Sequence, residues 1–443
     1  VAHHFTEAGV AEKAAGYWLK AGLRSRDKSA NIEAIGHLTK GLALVDTLGE
    51  SFDRDSRELE LLNLLAAAYQ SARGYSAAEV SPIFERAREL CRRSARPEQM
   101  FMMMWGNWAF RIVSGEFRLC TDLAAELMKV AQDLNDRGSM MEALYAQGAT
   151  QFYRGDFAGA YEACSKAVDE FDDPERTKAW AALTHHNSSI MHRCYIAMSL
   201  WHLGYPEQAE RVIREAVEMA RAQDQPFGLC IALHQEGWLY SDCGYGVEGQ
   251  TAGREEFEIA SKHGFPMWQA TGQFWIGAGL LRQGLAGEAL PSLRQGLESY
   301  RATGSAISLS HYLSILGEAC TQAGKFDEAR QAIEEGIAVA IKNDERYQEA
   351  ELHRLKGELH LAETNDLTAA EECFHTAIQT ARRQRSKARE LRAAMSLARL
   401  CQRQGRHAEA HAVLAPVYAA YTEGFTIPDL VESRALLEQA MNS

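Results

Sequence analysis

The chain has 443 residues, enough for two or three ordinary domains or for one long array of repeats. Hydrophobic residues make up 46% and charged residues 24%, which is typical of a folded soluble protein. The formal net charge of −13 disfavours nonspecific nucleic-acid binding over the whole surface, and no run of about 18 apolar residues predicts a membrane span.

Nine cysteines are scattered along the chain without a Cys-x-x-Cys pair. Their odd number and irregular spacing indicate reduced, mostly buried thiols, so we expect a cytoplasmic protein. Val1 is not an initiator methionine, and no charged and then apolar signal segment follows it. We therefore interpret residue 1 as lying inside a longer chain.

The first third of the sequence shows an irregular helical pattern. Residues 9–21 fit half a unit, 29–46 fit a helix that starts at a Ser29 cap, and 61–91 fit a helix pair with an enlarged turn. We assign 1–98 to irregular N-terminal helical repeats.

From residue 99 the pattern becomes periodic. The stretch 307–340 shows the unit: apolar residues recur at helical spacing on both sides of Gly324, where a left-handed residue can end a helix. We assign 99–425 to regular repeats of about 40 residues and 426–443 to a terminal capping helix. The turn glycines follow one another at steps of 40, 49, 40, 40, 40 and 81 residues: Gly115, Gly155, Gly204, Gly244, Gly284, Gly324 and Gly405.

A small residue stands seven positions before most of these turns, which allows two antiparallel helices to approach closely. The unit of Gly148, with Gly155-Asp156-Phe157, Ala160 and Ala167, resembles the tetratricopeptide repeat. That family has a period of about 34 residues, so both helices must be longer here. HEAT-type repeats match the length but lack the Gly-x-aromatic turn. The resemblance implies an all-α fold, a right-handed superhelical solenoid of antiparallel helix pairs.

Stacked helix pairs form a concave groove, and the resemblance implies which first-helix positions line it. Aromatic residues with polar neighbours are frequent at those positions, and such residues anchor partners well. Some of these rings could instead pack between repeats. The candidate partner-binding residues are Tyr145, Phe152, Tyr153, Cys194, Met198, Trp201, His202, His234, Trp238, Ser241, Asp242, Phe274, Arg282, Ser314, Glu318 and Gln322.

Three stretches imitate functional motifs. The sequence GYGVEG (244–249) matches the dinucleotide pattern GxGxxG but falls where the period predicts a turn between helices, and Gly249 and Gly253 predict a weak second helix. The stretch 184–194 contains three histidines and Cys194 without a familiar zinc spacing. It also holds the single nine-residue insertion, which could touch a ligand. We predict no metal, no cofactor and no catalytic residue.

The third is residues 382–406, which hold nine Arg or Lys against one Glu. Its net charge of +8 leaves −13 − 8 = −21 for the rest of the chain. It could contact a nucleic acid, an acidic partner or an acidic part of the same protein, although a solvated helix face is the simpler interpretation.

Longer phrases, such as SANIEAIGHLTKGLALV and ELHRLKGELHLA, resemble the C-terminal repeat region of bacterial signalling proteins. In those proteins a class III nucleotide cyclase or a DNA-binding domain precedes a STAND-type ATPase. The resemblance implies a non-catalytic module that senses a protein or a small inducer and restrains the upstream ATPase. A free-standing scaffold and nucleic-acid contact through 382–406 are the alternatives.

Overall fold

The computed structural model describes residues 1–27, 30–73, 79–94, 97–173, 175, 187–223 and 226–442, and every regular element in these ranges is helical. This confirms the all-α fold predicted from the sequence. The helices are α1 (Ala2–Glu7), α2 (Ala11–Asp27), α3 (Asn31–Val45), α4 (Phe52–Arg73), α5 (Val80–Ser94), α6 (Pro97–Val113), α7 (Phe117–Leu134), α8 (Arg137–Tyr153), α9 (Phe157–Phe171), α10 (Ser188–Leu203), α11 (Pro206–Ala222), α12 (Pro226–Cys243), α13 (Gly246–His263), α14 (Pro266–Arg282), α15 (Ala286–Ala302), α16 (Leu309–Gln322), α17 (Phe326–Asn343), α18 (Glu349–Glu363), α19 (Leu367–Arg383), α20 (Lys387–Arg403), α21 (His407–Ala419) and α22 (Pro428–Asn442), with a 3-10 turn at Arg346–Gln348 before α18.

Tertiary contacts divide the chain into two compact units. Unit 1 comprises residues 1–146 and 302–307, and unit 2 comprises 147–301 and 308–443. The sequence boundaries near residues 98 and 425 concern the regularity of the repeats and stay a prediction. No helix in the described ranges has the length and apolar character needed to cross a membrane.

The predicted turn glycines are confirmed, since each of the seven has a positive φ, between 70° and 90°. The step of 81 residues hides one more turn, at Asn365, whose φ is +52°. Asparagine tolerates the left-handed conformation better than most residues, so it replaces glycine there. A sequence rule based on glycine alone therefore missed this unit.

A second series of left-handed residues ends the second helices. Its members are Gly264, Gly304, Asp344, Arg385 and Gly424, about 40 residues apart. Two of the five are not glycine, which is why this series is hidden in the sequence. From the unit of Gly244 onwards both helices thus end at a left-handed residue, whereas α9 and α11 end at Asp172 and Gln223 with negative φ. The helices from α12 to α17 are 14 to 18 residues long.

The irregular first third forms part of unit 1. The predicted helix over 29–46 is α3, and Ala30 is in the N-cap position without a side-chain hydrogen bond. Ser29 itself lies outside the described residues. The predicted pair over 61–91 corresponds to α4 and α5, which pack with α2, α3 and α6 around buried Leu38, Leu62 and Phe84.

Helices α13 and α14 of unit 2 contact each other through glycine. A Cβ added to Gly253 would lie 2.8 Å from both Trp275 Cβ and the Ile276 backbone nitrogen, and one added to Gly272 would lie 2.6 Å from the Phe257 nitrogen. Gly253, one of the two glycines that predicted a weak second helix, thus permits backbone contact between α13 and α14, whereas a Cβ added to Gly249 would face α12, 3.5 Å from the Gly237 carbonyl oxygen. The cost of glycine flexibility is offset by close packing.

We predict that Gly253→Ala lowers the free energy of unfolding of unit 2 by about 1–3 kcal/mol, because the methyl group would overlap with backbone atoms that cannot move independently. Gly287→Ala is the matched control, since nothing lies within 4 Å of its added Cβ and it is in a helix. It should be neutral or stabilising by up to about 1 kcal/mol. Urea denaturation of both variants checks this, and equal effects would contradict it.

Candidate functional site

The sixteen predicted groove residues divide unevenly between the two units. Tyr145 belongs to unit 1, where its ring packs edge-on against Trp108 with centroids 5.2 Å apart. The other fifteen belong to unit 2. The candidate site is therefore built from unit 2 alone.

Most of the fifteen side chains are buried. Gln322 is exposed, and the half-buried Arg282 and Glu318 form an ion pair of 2.8 Å. The repeat register thus selected side chains that point inwards, but they do not form an open surface in this structure. The buried members are Phe152, Tyr153, Cys194, Met198, Trp201, His202, His234, Trp238, Ser241, Asp242, Phe274 and Ser314.

Aromatic rings gather around Trp238. Its ring centroid lies 4.6 Å from that of His311, 5.5 Å from Tyr347, 5.9 Å from Phe152 and 6.4 Å from Trp275. These side chains come from α8, α12, α14, α16 and the turn before α18. We call the inner cluster this set together with Tyr153, Trp201, His202, Asp242, Gln348, Glu351, Arg389 and Arg392.

Asp242 links the aromatic and charged parts of the inner cluster. Its Oδ2 accepts a hydrogen bond of 2.9 Å from Trp238 Nε1, and its Oδ1 accepts one of 3.1 Å from Arg389. Arg392 donates to the Asp242 carbonyl oxygen and, at 2.7 Å, to Asp429. Burial opposes ionisation of Asp242, yet the positive charges of Arg389 and Arg392 lower its pKa. The carboxylate is therefore charged inside the protein.

Glu351 provides the second buried carboxylate of the inner cluster. It lies 3.7 Å from Arg389 and 3.6 Å from Arg392, and it accepts a hydrogen bond of 2.7 Å from Arg354. Burial would raise its pKa, but Arg354 and Arg389 hold that pKa well below its usual value. Two carboxylates thus compensate the two buried guanidinium groups of Arg389 and Arg392.

The histidines of the inner cluster are neutral. Burial lowers the pKa of His311 to about 3 and that of His202 well below its usual value. The hydroxyl of Ser386 lies 2.9 Å from His202 Nδ1, but His202 Nε2, His311 Nδ1 and Ser241 Oγ make no hydrogen bond within the described residues. These three buried atoms are free to hydrogen-bond a small polar group.

A neighbouring polar group joins α12, α13 and α14. Trp275 Nε1 donates a hydrogen bond of 2.8 Å to His234 Nδ1, and the hydroxyl of Thr271 contacts Glu256 at 2.5 Å. Burial raises the pKa of Glu256 well above its usual value, so this acid is protonated. The group is neutral and polar, and its His234 fixes the orientation of the Trp275 indole through this hydrogen bond.

Sequence reasoning missed the side chains that come from the C-terminal repeats, although a signal for them exists. The family offsets, counted from the small residue of each unit, begin three positions before it. The missed residues lie nine and six positions before Gly317, Gly357 and Ala398. They form the series Ser308, Gln348, Arg389 and the series His311, Glu351, Arg392, all of them buried.

Ser308 and Ser310 meet a further buried acid at the start of α16. The backbone nitrogens of both serines donate to Glu345, at 2.5 Å and 3.1 Å, and Ser308 has a φ of +60°. Burial raises the pKa of Glu345 to about 7, although the two backbone N–H groups favour the charged form. Glu345 thus caps the N-terminus of a helix that precedes it in sequence.

The stretches that imitate motifs have other roles. In GYGVEG, Gly244 forms the turn after α12, and the remainder begins α13, so no strand precedes it. His185 and His186 lie outside the described residues, while Cys194 is buried in α10. No group of three potential metal ligands occurs among the described side chains.

The basic segment 382–406 is largely neutralised by carboxylates of neighbouring helices. Arg389 is 1% exposed, so the interpretation as a solvated helix face is wrong for this residue. The pairing leaves few free cations for a phosphate backbone. The surface pairs are Arg382 with Glu390, Arg383 with Glu349, Arg399 with Glu432, and Arg406 with Glu371 and Glu409.

Comparison with known proteins identifies tetratricopeptide repeats at three places, residues 194–215, 310–335 and 391–416. An uncharacterized protein of Rhizobium meliloti (strain 1021) is 25% identical over 410 residues, which are 90% of this chain. The chain spans 39% of the length of that relative.

Two solved structures share the fold. The Rap protein complexed with competence and sporulation factor aligns with a TM-score of 0.56 at 13% identity, covering 88% of this chain and 100% of that one. NprR in complex with its cognate peptide NprX aligns with a TM-score of 0.50 at 13% identity, covering 88% and 99%. The chain therefore has the fold of a tetratricopeptide-type solenoid.

We predict that Asp242→Asn lowers the free energy of unfolding of unit 2 by about 3 kcal/mol, because the change leaves buried guanidinium charge uncompensated. The control is Arg301→Gln, which breaks an exposed 2.7 Å pair with Glu335 and should cost less than about 1 kcal/mol. Guanidinium denaturation at neutral pH measures both.

The effect of Asp242→Asn should depend on pH. A lowered pKa in the folded state gives a contribution that is present above the unfolded pKa of about 4 and is lost as the pH falls through the folded value. The difference between wild type and variant should therefore shrink in acid. A difference that stays constant with pH, or one under about 1 kcal/mol, would contradict this assignment.

We predict that Glu345→Gln removes one pH-dependent step in stability. With its pKa raised to about 7, folded Glu345 binds its proton more tightly than the unfolded chain does, so stability falls as the pH rises from about 4.5 to about 7. The amide side chain of the variant cannot titrate. The free energy of wild type minus that of variant should fall across this window and level off above it; parallel profiles would contradict the prediction.

Proposed function

We propose that this chain is a non-catalytic sensing module, in which the inner cluster of unit 2 binds a peptide or a small inducer. The observation that carries the proposal is the composition of the cluster. Rings of Phe152, Trp201 and Trp238 surround neutral His202 and His311, each with one nitrogen that makes no hydrogen bond within the described residues. Such a set offers rigid apolar contact and directional hydrogen bonds together.

The comparisons support a ligand of this kind. The Rap structure is a complex with competence and sporulation factor, and the NprR structure is a complex with its cognate peptide NprX. This chain shares their fold at 13% identity, so the binding of a short peptide is our proposal for it.

We further propose that the module belongs to a longer cytoplasmic signalling protein. The Rhizobium relative extends well beyond the matched region, and the sequence resembles repeat regions that follow a STAND-type ATPase and a cyclase or a DNA-binding domain. Ligand binding would favour one conformation of unit 2, and the upstream ATPase would respond to that shift. Any catalysis would then belong to the upstream part.

Of the two alternatives, a free-standing scaffold would act without an upstream ATPase. Contact with nucleic acid through 382–406 is disfavoured, because most of those cations form ion pairs with carboxylates.

The test is thermal unfolding of this chain with a library of metabolites and of peptides five to seven residues long. A ligand of the inner cluster should raise the unfolding midpoint in a dose-dependent way, corresponding to about 2.7 kcal/mol at one hundred times its Kd. Trp238→Phe, which loses the hydrogen bond to Asp242, should raise the Kd for this ligand at least tenfold.

The matched control is Trp18→Phe in unit 1, which also loses an indole hydrogen bond, to Thr6 at 3.1 Å. It should leave the ligand-induced shift intact. If the upstream region is added and it alone raises the unfolding midpoint, the result would favour an intramolecular restraint without a separate ligand at the inner cluster. The proposed site would be contradicted if neither the library nor the upstream region raised the unfolding midpoint, or if the increase persisted in Trp238→Phe.

A further inference from the structure

Unit 2 contains contacts between repeats that are far apart in sequence. In an ordinary solenoid each repeat contacts only its neighbours. Here residues 384–429 contact residues 155–245, with hydrogen-bonded partners separated by 147 to 217 positions. We call this set of contacts the closing seam.

The outer part of the closing seam is polar. Gln208 donates to both oxygens of Glu423, from its backbone nitrogen at 3.0 Å and from Nε2 at 2.9 Å. The backbone nitrogen of Gly424 donates to Glu207 at 2.9 Å. The turn before α22 is thus held against the start of α11 by three hydrogen bonds, whose partners water can satisfy if the turn moves away.

The turn glycines show which repeats take part in the closing seam. A Cβ on Gly204 would lie 2.8 Å from Lys387, and one on Gly244 would lie 3.1 Å from Pro428. Nothing lies within 4 Å of the equivalent positions at Gly284, Gly324 and Gly405. The C-terminal repeats therefore contact the turns at Gly204 and Gly244, while the turns at Gly284, Gly324 and Gly405 have no such neighbour.

The inner part of the closing seam covers Trp201 and Trp238, two rings proposed to contact the ligand. The guanidinium carbon of Arg389 lies 4.8 Å from the ring centroid of Trp201, and that of Arg392 lies 5.5 Å from it. Both arginines also contact Asp242. Trp201 and Trp238 are only 2% and 1% exposed as a result of this packing and that of their neighbours.

We infer that the closing seam is an intramolecular gate, in which the C-terminal repeats that carry Arg389 and Arg392 move away from Trp201 and Trp238 before a partner can reach these two rings. The inner contacts are ion pairs, hydrogen bonds and the two arginine–Trp201 ring contacts, and the outer ones are hydrogen bonds. The polar groups on both sides can be hydrated without unfolding the helices. Opening therefore needs less free energy than unfolding unit 2. The inference rests on the proposed function only for what the gate admits.

Two native thiols report on the gate without any ligand. Cys243 is 2% exposed and lies between Asp242 and Gly244, which both contact the closing seam, whereas Cys320 is buried in α16, beside Arg294 and Glu328. The native protein is alkylated with iodoacetamide, and mass spectrometry then quantifies how fast each thiol is modified. This rate measures how often each thiol becomes accessible.

The test compares Gly424→Ala with Gly405→Ala. Both glycines have a φ of +75°, so the backbone strain is matched, but only at 424 would the new methyl group overlap with Pro206. The double variant Gln208→Ala/Glu423→Ala opens the same contact without added bulk. Loss of these hydrogen bonds should raise the alkylation rate of Cys243 on the order of ten- to one hundredfold, and leave Cys320 unchanged.

Gly405→Ala should leave both alkylation rates near those of wild type. An unchanged Cys243 rate in both seam variants would overturn the gate, and so would an equal rise at Cys320, because unit 2 would then open only by global unfolding. Since no ligand is used, a failure here is distinct from a failure of the peptide and metabolite screen.

Discussion

The burial of Asp242 with two guanidinium groups is the interaction on which unit 2 depends. One carboxylate receives the indole N–H of Trp238 from its own helix and the guanidinium of Arg389 from a helix 147 residues later. A buried charge without such partners costs several kcal/mol, so these segments stay together as long as Asp242 is shielded from water. The aromatic packing around Trp238 is then fixed in place by an electrostatic requirement.

The same constraint explains why most of the predicted groove residues are buried. Side chains that the repeat geometry directs inwards meet one another across unit 2, and the polar ones must find partners there. Asp242, Glu351, Arg389 and Arg392 satisfy one another. His202 and His311 stay neutral because protonation beside two arginines and without solvent would be unfavourable.

Most of the fold could be predicted from the sequence because it depends on local chemistry. Left-handed residues end most of the helices, and glycine provides the seven turns that the sequence predicted, from Gly115 to Gly405. Asn365, Asp344 and Arg385 adopt the same conformation without glycine, so the sequence did not reveal those turns. The division into two units depends on tertiary contacts and has no sequence marker that we recognise.

The candidate site was predictable only in part. The register of the first helices located Trp201, Trp238 and Asp242, because each repeat places the same positions on the same side. That Arg389 would lie over Trp201 depends on how tightly unit 2 winds, which is the sum of small rotations over several repeats. The basic segment therefore resembled a solvated surface when considered by itself, because Arg389 and Arg392 contact Asp242 and Trp201, which are more than a hundred residues away in sequence.

The unequal surroundings of the turns also bear on how such an array can change in evolution. Nothing lies within 4 Å of a Cβ added at Gly284, Gly324 or Gly405, so we expect a few extra residues to be accommodated there. Gly204 and Gly244 lie against Lys387 and Pro428, and an insertion there would separate the repeats that they join. New loops, reporter sequences or whole inserted domains would thus be tolerated along one part of unit 2 and rejected along the other.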